Sequence, residues 1–521
     1  MSEPEPVSDE TGRAALAPPP SALGRIATAV RRPAVLAAVA GLALLVAAAA
    51  WWQLRPSTAG PHSMTVRLAG FQLLSPDLSP TLRATVDSEI AAAFNADGVV
   101  GVSTASAPAR GPAPAYALGG TIQYDGPTIR VITRLTNERS GATLWSETFD
   151  YDGAEAAKVP RHIAVDAGNV VRCGLFGAST YQKPLPDAVL RDYMQFCRGH
   201  WHPDMREGRK ALVPAQRVVA AAPDFSWGWA AVAGAYWKVD SSAGDGPAGD
   251  AARAAGREAA DKALALDSRN SEALYIKSML VDRNDWIARE DLLKRAVGAR
   301  RLDCGCEYHQ YGTMLANVGR VTEAVEQLRQ ANDMLALYVY TPLTLADVLV
   351  EAGKADEARP FYDAAIQLAP DAGFAARIMR YKATAMGDAD ALLDPALAMP
   401  DQQRSALVAG YRARALGSAA AREAVQALRA LPEDQQNDDV ALLLGDLGAT
   451  HDAFRIASRL AAQRYPGPSI FWYPGMRATL SDPGFPAAAG QLGLMKYWKA
   501  TRTKPDACKG QGPHAPFCSM I

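Results

Sequence analysis

Two stretches of the chain, GRVTEAVEQL at Gly319–Leu328 and GKADEARPFY at Gly353–Tyr362, align with their glycines 34 residues apart. A fixed period of that length predicts a helix-pair unit stacked on copies of itself, because one pair cannot bury its apolar face alone. Small residues fall where such helices must cross. Gly312 sits where the first helix needs one and Ala324 where the second crosses it; Ala358 and Ala365 fill the matching places in the next unit. Pro370 then stops the second helix, since proline lacks the N–H and disfavours helical geometry before it. The same spacing fits upstream, where Ala211 and Pro223 lie 12 and 24 residues beyond Gly199. APDFSWGWAAVAGAYW (Ala222–Trp237) opens the next pair, and a Gly/Ser/Asp insertion at Asp240–Asp250 interrupts it before ALALDSRNSEAL (Ala263–Leu274). Degenerate copies begin at GDADALL (Gly387–Leu393) and LGATHDAFRIASRL (Leu447–Leu460). The expectation is a solenoid of about six to eight helix pairs over 187–480.

A second constraint lies near the N-terminus. From Pro33 to Trp52 there is no charged or strongly polar side chain. Twenty residues rising 1.5 Å each span about 30 Å, the thickness of bilayer hydrocarbon. Trp51 and Trp52 sit at one end, where amphipathic rings favour the headgroup layer. Arg25, Arg31 and Arg32 precede the run, against Arg55 and Arg67 after it, which orients the N-terminus to the cytoplasm. The run reads as an uncleaved signal anchor. A cleaved signal, with Ala47–Ala50 supplying the small residues, and a buried soluble helix are the rival readings. Ala37 and Gly41 have the spacing of a helix-pairing face, which so alanine-rich a run also produces by chance. Residues 1–30, with prolines at Pro4, Pro6 and Pro18–Pro20, read as a disordered cytoplasmic tail. A Pro/Ser/Gly linker occupies 53–62.

Between linker and repeats, residues 63–180 carry β signals. TVRLAGF (Thr65–Phe71) reads as a strand, Leu82–Phe94 as a helix that Ser79 or Thr81 can cap and Gly98 stops, and VVGVS (Val99–Ser103) as a second strand. YALGGTIQY (Tyr116–Tyr124), TIRVITRLTN (Thr128–Asn137) and TLWSETFDY (Thr143–Tyr151) follow, joined by turns containing Gly126 and Gly141. In the middle strand Ile129, Val131, Thr133 and Leu135 alternate with Arg130, Ile132, Arg134 and Thr136, so one face is buried. A helix over Ala157–Phe176 closes an α+β unit with a mixed sheet.

On Gly120, the Asp125-Gly126 turn, Ser140-Gly141 and Leu144-Trp145-Ser146-Glu147, this unit resembles the TolB amino-terminal domain. The 34-residue unit is similar to the tetratricopeptide repeat. That order resembles the extracytoplasmic half of bacterial membrane-anchored winged-helix transcriptional regulators and class III adenylate cyclases. The tail (481–521) adds markers similar to their C-terminal ends: Asp482-Pro483-Gly484-Phe485, Leu492-Gly493-Leu494, Tyr497-Trp498 and Pro505-Asp506-Ala507-Cys508. The resemblance covers most of 63–508. It implies a bacterial inner-membrane protein with one transmembrane helix, a small mixed-sheet α+β domain and a helical tetratricopeptide-type solenoid in the periplasm. It implies no cofactor and no catalytic residue. Residues 1–30 contain no winged-helix, cyclase or kinase pattern, so neither DNA binding nor cyclic-nucleotide synthesis is expected.

Charge agrees with that exclusion. Lys+Arg number 54 against Asp+Glu 55, without the basic footprint of a nucleic-acid binder. All six cysteines follow the apolar run, and in an oxidising compartment some pair. Cys508 and Cys518, flanking a Gly/Pro-rich tail, are the candidate disulfide. Cys304-Gly-Cys306 with His309 has the atoms of a metal site, of a redox or strained disulfide, or of buried cysteines; zinc sites usually separate paired cysteines by two residues. His200-Trp-His202 with Asp204 divides between metal site and helix end. Trp227, Trp229 and Trp237 read as a ligand groove or as packing between helices. Gly119-Gly120 inside a strand marks a bulge sooner than a phosphate cradle. There is no GxxxxGK[ST], GxSxG or HExxH, and no convincing acid pair, so no enzyme chemistry is expected. The functional expectation is an adaptor or sensor in envelope signalling or assembly, binding protein or peptide partners along the helical groove. Its rival is a degenerate receptor that senses a small molecule and relays to a separate cytoplasmic effector.

Overall fold

The computed structural model describes residues 65–97, 100–104, 115–201, 208–244, 246–299, 305–335, 337–416, 418–463, 467–509 and 515–521. The tail 1–30, the apolar run 33–52 and the linker expected at 53–62 lie outside the described residues. Among those described, no helix is long and apolar enough to cross a membrane. From His62 onward the chain forms one compact unit.

Its first part is α+β. Five strands, β1 (Thr65–Leu73), β2 (Gly101–Thr104), β3 (Tyr116–Asp125), β4 (Thr128–Asn137) and β5 (Thr143–Asp152), line up in the order β2-β1-β3-β4-β5. The β2, β1 and β3 neighbours are parallel and β3, β4 and β5 antiparallel. Two helices cover the sheet's apolar side, α1 (Pro80–Asp97) and α2 (Val159–Thr180). The Oγ of Ser79 accepts from the Thr81 N–H at 3.3 Å at the start of α1. Alternation decides which face is inside: Ile129, Val131, Thr133 and Leu135 are all fully buried. The register irregularity lies in β1, between Leu68 and Gly70, across from the Gly119 end of β3. Gly120 is required for another reason, because a Cβ there would stand 1.9 Å from the Ile132 carbonyl oxygen.

Helical hairpins follow. The pairs are α3 (Asp187–Trp201) with α4 (Leu212–Ala221), α5 (Ser226–Ala243) with α6 (Pro247–Leu266), and α7 (Ser271–Leu280) with α8 (Trp286–Val297). Next come α9 (Cys306–Asn317) with α10 (Val321–Met334) and α11 (Tyr340–Glu351) with α12 (Ala355–Gln367). The helix α13 (Ala372–Met386) stands before α14 (Asp401–Leu416) with α15 (Ser418–Arg429), and α16 (Asp438–Asp446) pairs with α17 (Thr450–Ala461). The 34-residue period is that of a turn. Gly319, Gly353 and Gly387 adopt φ of 81°, 76° and 65°, conformations that cost a residue with a Cβ. After each, the next N–H reaches back to close the helix end: Arg320 to Leu315 (2.9 Å), Lys354 to Leu349 (2.8 Å) and Asp388 to Ala383 (2.8 Å).

The crossing points are as tight as close helix approach demands. A Cβ on Gly312 would lie 2.6 Å from the Leu328 side chain and 3.1 Å from the Ala324 carbonyl oxygen; on Gly199 it would lie 2.8 Å from Ala211. Ala324, Ala358 and Ala365 are fully buried. Pro223 and Pro370 stand just past the ends of α4 and α12.

Two stretches depart from the sequence reading. Asp240–Asp250 is no interruption: apart from the turn around Gly244 and Gly246, it extends α5 and α6. Asp240 is tolerated in a buried position because Arg253 pairs with it at 2.9 Å. GDADALL opens no second helix, only two 3-10 turns at Ala391–Leu393 and Pro395–Leu397. Asp394 caps the second of these by accepting from the Ala396 N–H at 2.9 Å, and Pro395 and Pro400 leave no run long enough for an α-helix.

The chain's end packs back onto its middle. Beyond 3-10 turns at Gly467–Trp472 and Pro474–Ser481 come α18 (Phe485–Gln491) and α19 (Leu494–Thr501). The indole of Trp286 donates to the Leu492 carbonyl (2.7 Å), and that of Trp498 to the Val318 carbonyl (2.9 Å). Asp506 accepts from the Thr322 N–H at 2.7 Å. At the centre Arg320 donates to Glu290 (2.5 Å) and to the Tyr497 hydroxyl (2.8 Å), which itself donates to Glu290 (3.1 Å). Burial works to raise the Glu290 carboxyl, but hydrogen bonds from Lys294 and Arg320 outweigh it and hold it below its ordinary range.

Without Arg320, Glu290 keeps Lys294 at 3.0 Å, so its charge is not stranded. Arg320→Ala should therefore cost about 1.5–3 kcal/mol of unfolding free energy, the loss of charged hydrogen bonds, read by urea denaturation. Tyr497→Phe, which removes only hydrogen bonds, should cost about 1–3 kcal/mol.

Candidate functional site

The first helices of successive hairpins look onto a common cleft of about 500 Å³. His309 and Thr313 reach it from α9, Tyr340, Asp347 and Glu351 from α11, Tyr381 from α13, Tyr411 and Arg414 from α14, and Asp438, Asp439 and Asp446 from α16. The opposite wall is the C-terminal segment, through Ser469, Ile470 and Tyr473–Gly475. Glycines make that closure possible. A Cβ on Gly475 would collide with the Asp446 carboxylate at 2.1 Å, and one on Gly445 would meet the Gly475 carbonyl oxygen at 2.5 Å.

Acids and phenols dominate the lining. Asp347 and Glu351 are one turn apart on α11 and share a face. Tyr362 donates to Asp347 at 2.7 Å. Glu351 is only 4% exposed, and its Oε2 has no hydrogen-bond partner. Arg380 lies 3.2 Å from Asp439 and Arg414 lies 3.3 Å from Asp446. Burial is the main cause of the shifts in this wall. It pushes the Asp347 carboxyl up to about 7, against the Tyr362 hydrogen bond and with help from Asp438 and Asp439. It pushes Glu351 well above its ordinary value, with Asp347 adding to the effect, and it raises Asp438 and Asp439. His309, buried on the α9 wall, is pushed down to about 4, so its ring is neutral at physiological pH, and its Nδ1 has no hydrogen-bond partner.

The residues singled out from sequence are scattered around this cleft. Trp237 lines it, whereas Trp227 packs edge-on against Phe176 at 5.1 Å and Trp229 donates to the Pro223 carbonyl at 2.9 Å. His200 is buried 3.2 Å from the Tyr275 hydroxyl, and its proton affinity drops to about 3, first through burial and then through Lys238. His202, Asp204 and Cys304 lie outside the described residues. Cys306 is disulfide-bonded and so offers no thiolate to a metal. Among the described residues no group of three His, Cys, Asp or Glu is placed to hold a metal ion. Cys508 and Cys518 are joined by a disulfide, with Cα atoms 5.5 Å apart. A further disulfide, Cys173–Cys197, ties α2 to α3 across the junction of sheet and hairpins.

The acids of the cleft are what the sequence reading missed, since it found no convincing acid pair. A signal was there. In TPLTLADVLVE (Thr341–Glu351) two carboxylates four apart interrupt an otherwise apolar helix, placing both on one face of an element that is otherwise core.

No known protein family matches the sequence, and no curated protein does.

The raised carboxyls fix a pH dependence. Asp347 holds its proton in the folded state at pH values where the unfolded chain, with an ordinary carboxyl, has released it. That contribution is complete below about pH 4 and is lost as pH rises through about 7. The urea midpoint of the full chain should fall between about pH 5 and about pH 8, and Asp347→Asn should flatten the slope. An unchanged slope in the variant would show that this carboxyl is not the source.

Proposed function

We propose that the chain is the binding body of a membrane-tethered extracytoplasmic sensor, in which a tetratricopeptide-type solenoid holds a small molecule on its inner face. The reading takes the receptor alternative over the adaptor. One observation carries it: the C-terminal segment closes the surface that an open array would offer to a long peptide. What is left is a cleft of about 500 Å³, within the range of small-ligand pockets. Among the described residues the large exposed apolar side chains are Leu74, Tyr124, Val213, Leu266, Leu393 and Met520. Exposed apolar side chains in such numbers are ordinary surface and do not by themselves argue for a docking face. The apolar run at 33–52 supplies the tether, and the resemblance to the extracytoplasmic halves of membrane-anchored regulators supplies the signalling context.

The test is a thermal-shift screen of the full chain in detergent against small polar metabolites. Occupancy at one hundred times Kd stabilises the folded state by about 2.7 kcal/mol, enough for a saturable rise in Tm. Thr344→Trp, which fills the cleft from α11, should abolish the rise. A library that stabilises nothing, or a response indifferent to Thr344→Trp, counts against the reading. Deleting residues 1–30 should leave binding intact and silence any relay.

A further inference from the structure

Glu351 is the anomaly of the cleft. An acceptor oxygen this deeply buried ordinarily has a hydrogen-bond donor, and leaving one unsatisfied costs about 1–3 kcal/mol, more for a charged group. Ser469 hydrogen-bonds the carboxyl, yet Glu351 lines the cleft with its Oε2 left without a partner. The charges make the same point. Asp439 and Asp446 each have an arginine, at 3.2 and 3.3 Å. Among the described residues neither Asp347 nor Glu351 has a cation within ion-pairing distance.

We propose that the cleft recognises a small organic cation with N–H donors, a primary amine or a guanidinium, anchored on Glu351 and Asp347. This rests on the small-molecule reading above and names its ligand class. The donors satisfy Glu351 Oε2 and the free lone pairs of Asp347, and the positive charge compensates the two carboxylates once they ionise. Trp237, Tyr340, Tyr381 and Tyr473 line the same cleft, and aromatic faces attract a desolvated cation. His309 lines the same cleft from α9, and its Nδ1, without a partner, is an acceptor in the tautomer that carries its proton on Nε2. A metal ion fits less well: no three-ligand group is placed for one among the described residues, and phenols and indole are not its partners. A neutral sugar would leave the acids uncompensated.

The chemistry also gives the sign of a pH effect. A cation favours ionised carboxylates, so its affinity should rise with pH as Asp347 and Glu351 lose their protons. The groups facing them are the Tyr362 hydroxyl from α12, Tyr381 with Arg380 from α13, and Asp438 and Asp439 from α16. His309 on α9 is already neutral above about 4 and does not reverse that sign.

The experiment is isothermal titration of the full chain with 1,4-diaminobutane, arginine, tetramethylammonium, glucose and calcium. The amine and the guanidinium should bind, more tightly at about pH 8 than at about pH 6. Tetramethylammonium, a cation without donors, should bind at least about tenfold more weakly, and glucose and calcium not at all. Glu351→Gln keeps the side-chain volume and should weaken amine binding by about tenfold or more with no fall in Tm. Asp347→Asn is the second variant, and decides the matter should the first fail to fold. Amine binding unchanged in a folded variant, glucose or calcium binding as well as the amine, or no cation binding would each overturn the assignment. A neutral metabolite that binds where cations do not would overturn it while leaving the sensor reading standing.

Discussion

The ion pair between Arg320 and Glu290, closed over by the Tyr497 hydroxyl, is the contact on which the architecture turns. Arg320 directly follows a turn glycine of the repeat, Glu290 belongs to the preceding hairpin, and Tyr497 comes from near the end of the chain. A stack of hairpins has only nearest-neighbour contacts and can in principle lengthen or shorten freely. Here a buried charge held by Glu290 and Glu323 within the repeats gains one more hydrogen bond, to the Tyr497 hydroxyl, when the C-terminal segment is docked. That bond couples the last forty residues to the middle of the array. Around it the indoles of Trp286, Trp472 and Trp498 cross the same seam to backbone carbonyls, so the seam is polar-specific as well as apolar.

That seam explains what the sequence could and could not disclose. The strands were legible because alternation in TIRVITRLTN has one physical meaning, a half-buried sheet, and Thr133 is fully buried alongside its apolar neighbours. The repeat was legible through its turn glycines, since a positive φ after a helix leaves few alternatives. Gly387 holds the same period, yet no helix pair follows it. A turn signal states where a helix ends, whereas the prolines at Pro395 and Pro400 govern what comes next. The Asp240–Asp250 stretch misleads in the opposite direction, because a composition of Gly, Ser and Asp looks like loop until an ion pair with Arg253 offsets the burial of Asp240.

The cleft was not legible, and the reason is distance along the chain. Asp347 and Glu351 sit on one helix, the Asp438–Asp439 pair on another some ninety residues later, and the wall that encloses them begins near Ser469. Periodicity reports which face of each helix is inward, but an inward carboxylate reads as an error of patterning until the facing element is known. No motif search finds such a site, because its members share no local spacing beyond the four-residue step from Asp347 to Glu351.

The same geometry connects stability and recognition. Burial pushes the Glu351 carboxyl towards the neutral form, against the hydrogen bond from Ser469 of the C-terminal segment. The segment that completes the fold thus lines the same cleft as the unsatisfied acceptor. Fold and site are in tension at this one carboxyl: the protonated state favours the closed structure, and the ionised state favours a cationic occupant. A ligand that supplies charge and N–H donors together relieves both demands at once. For that reason the chemistry of the pocket is better read from what Glu351 lacks than from the shape of the cleft.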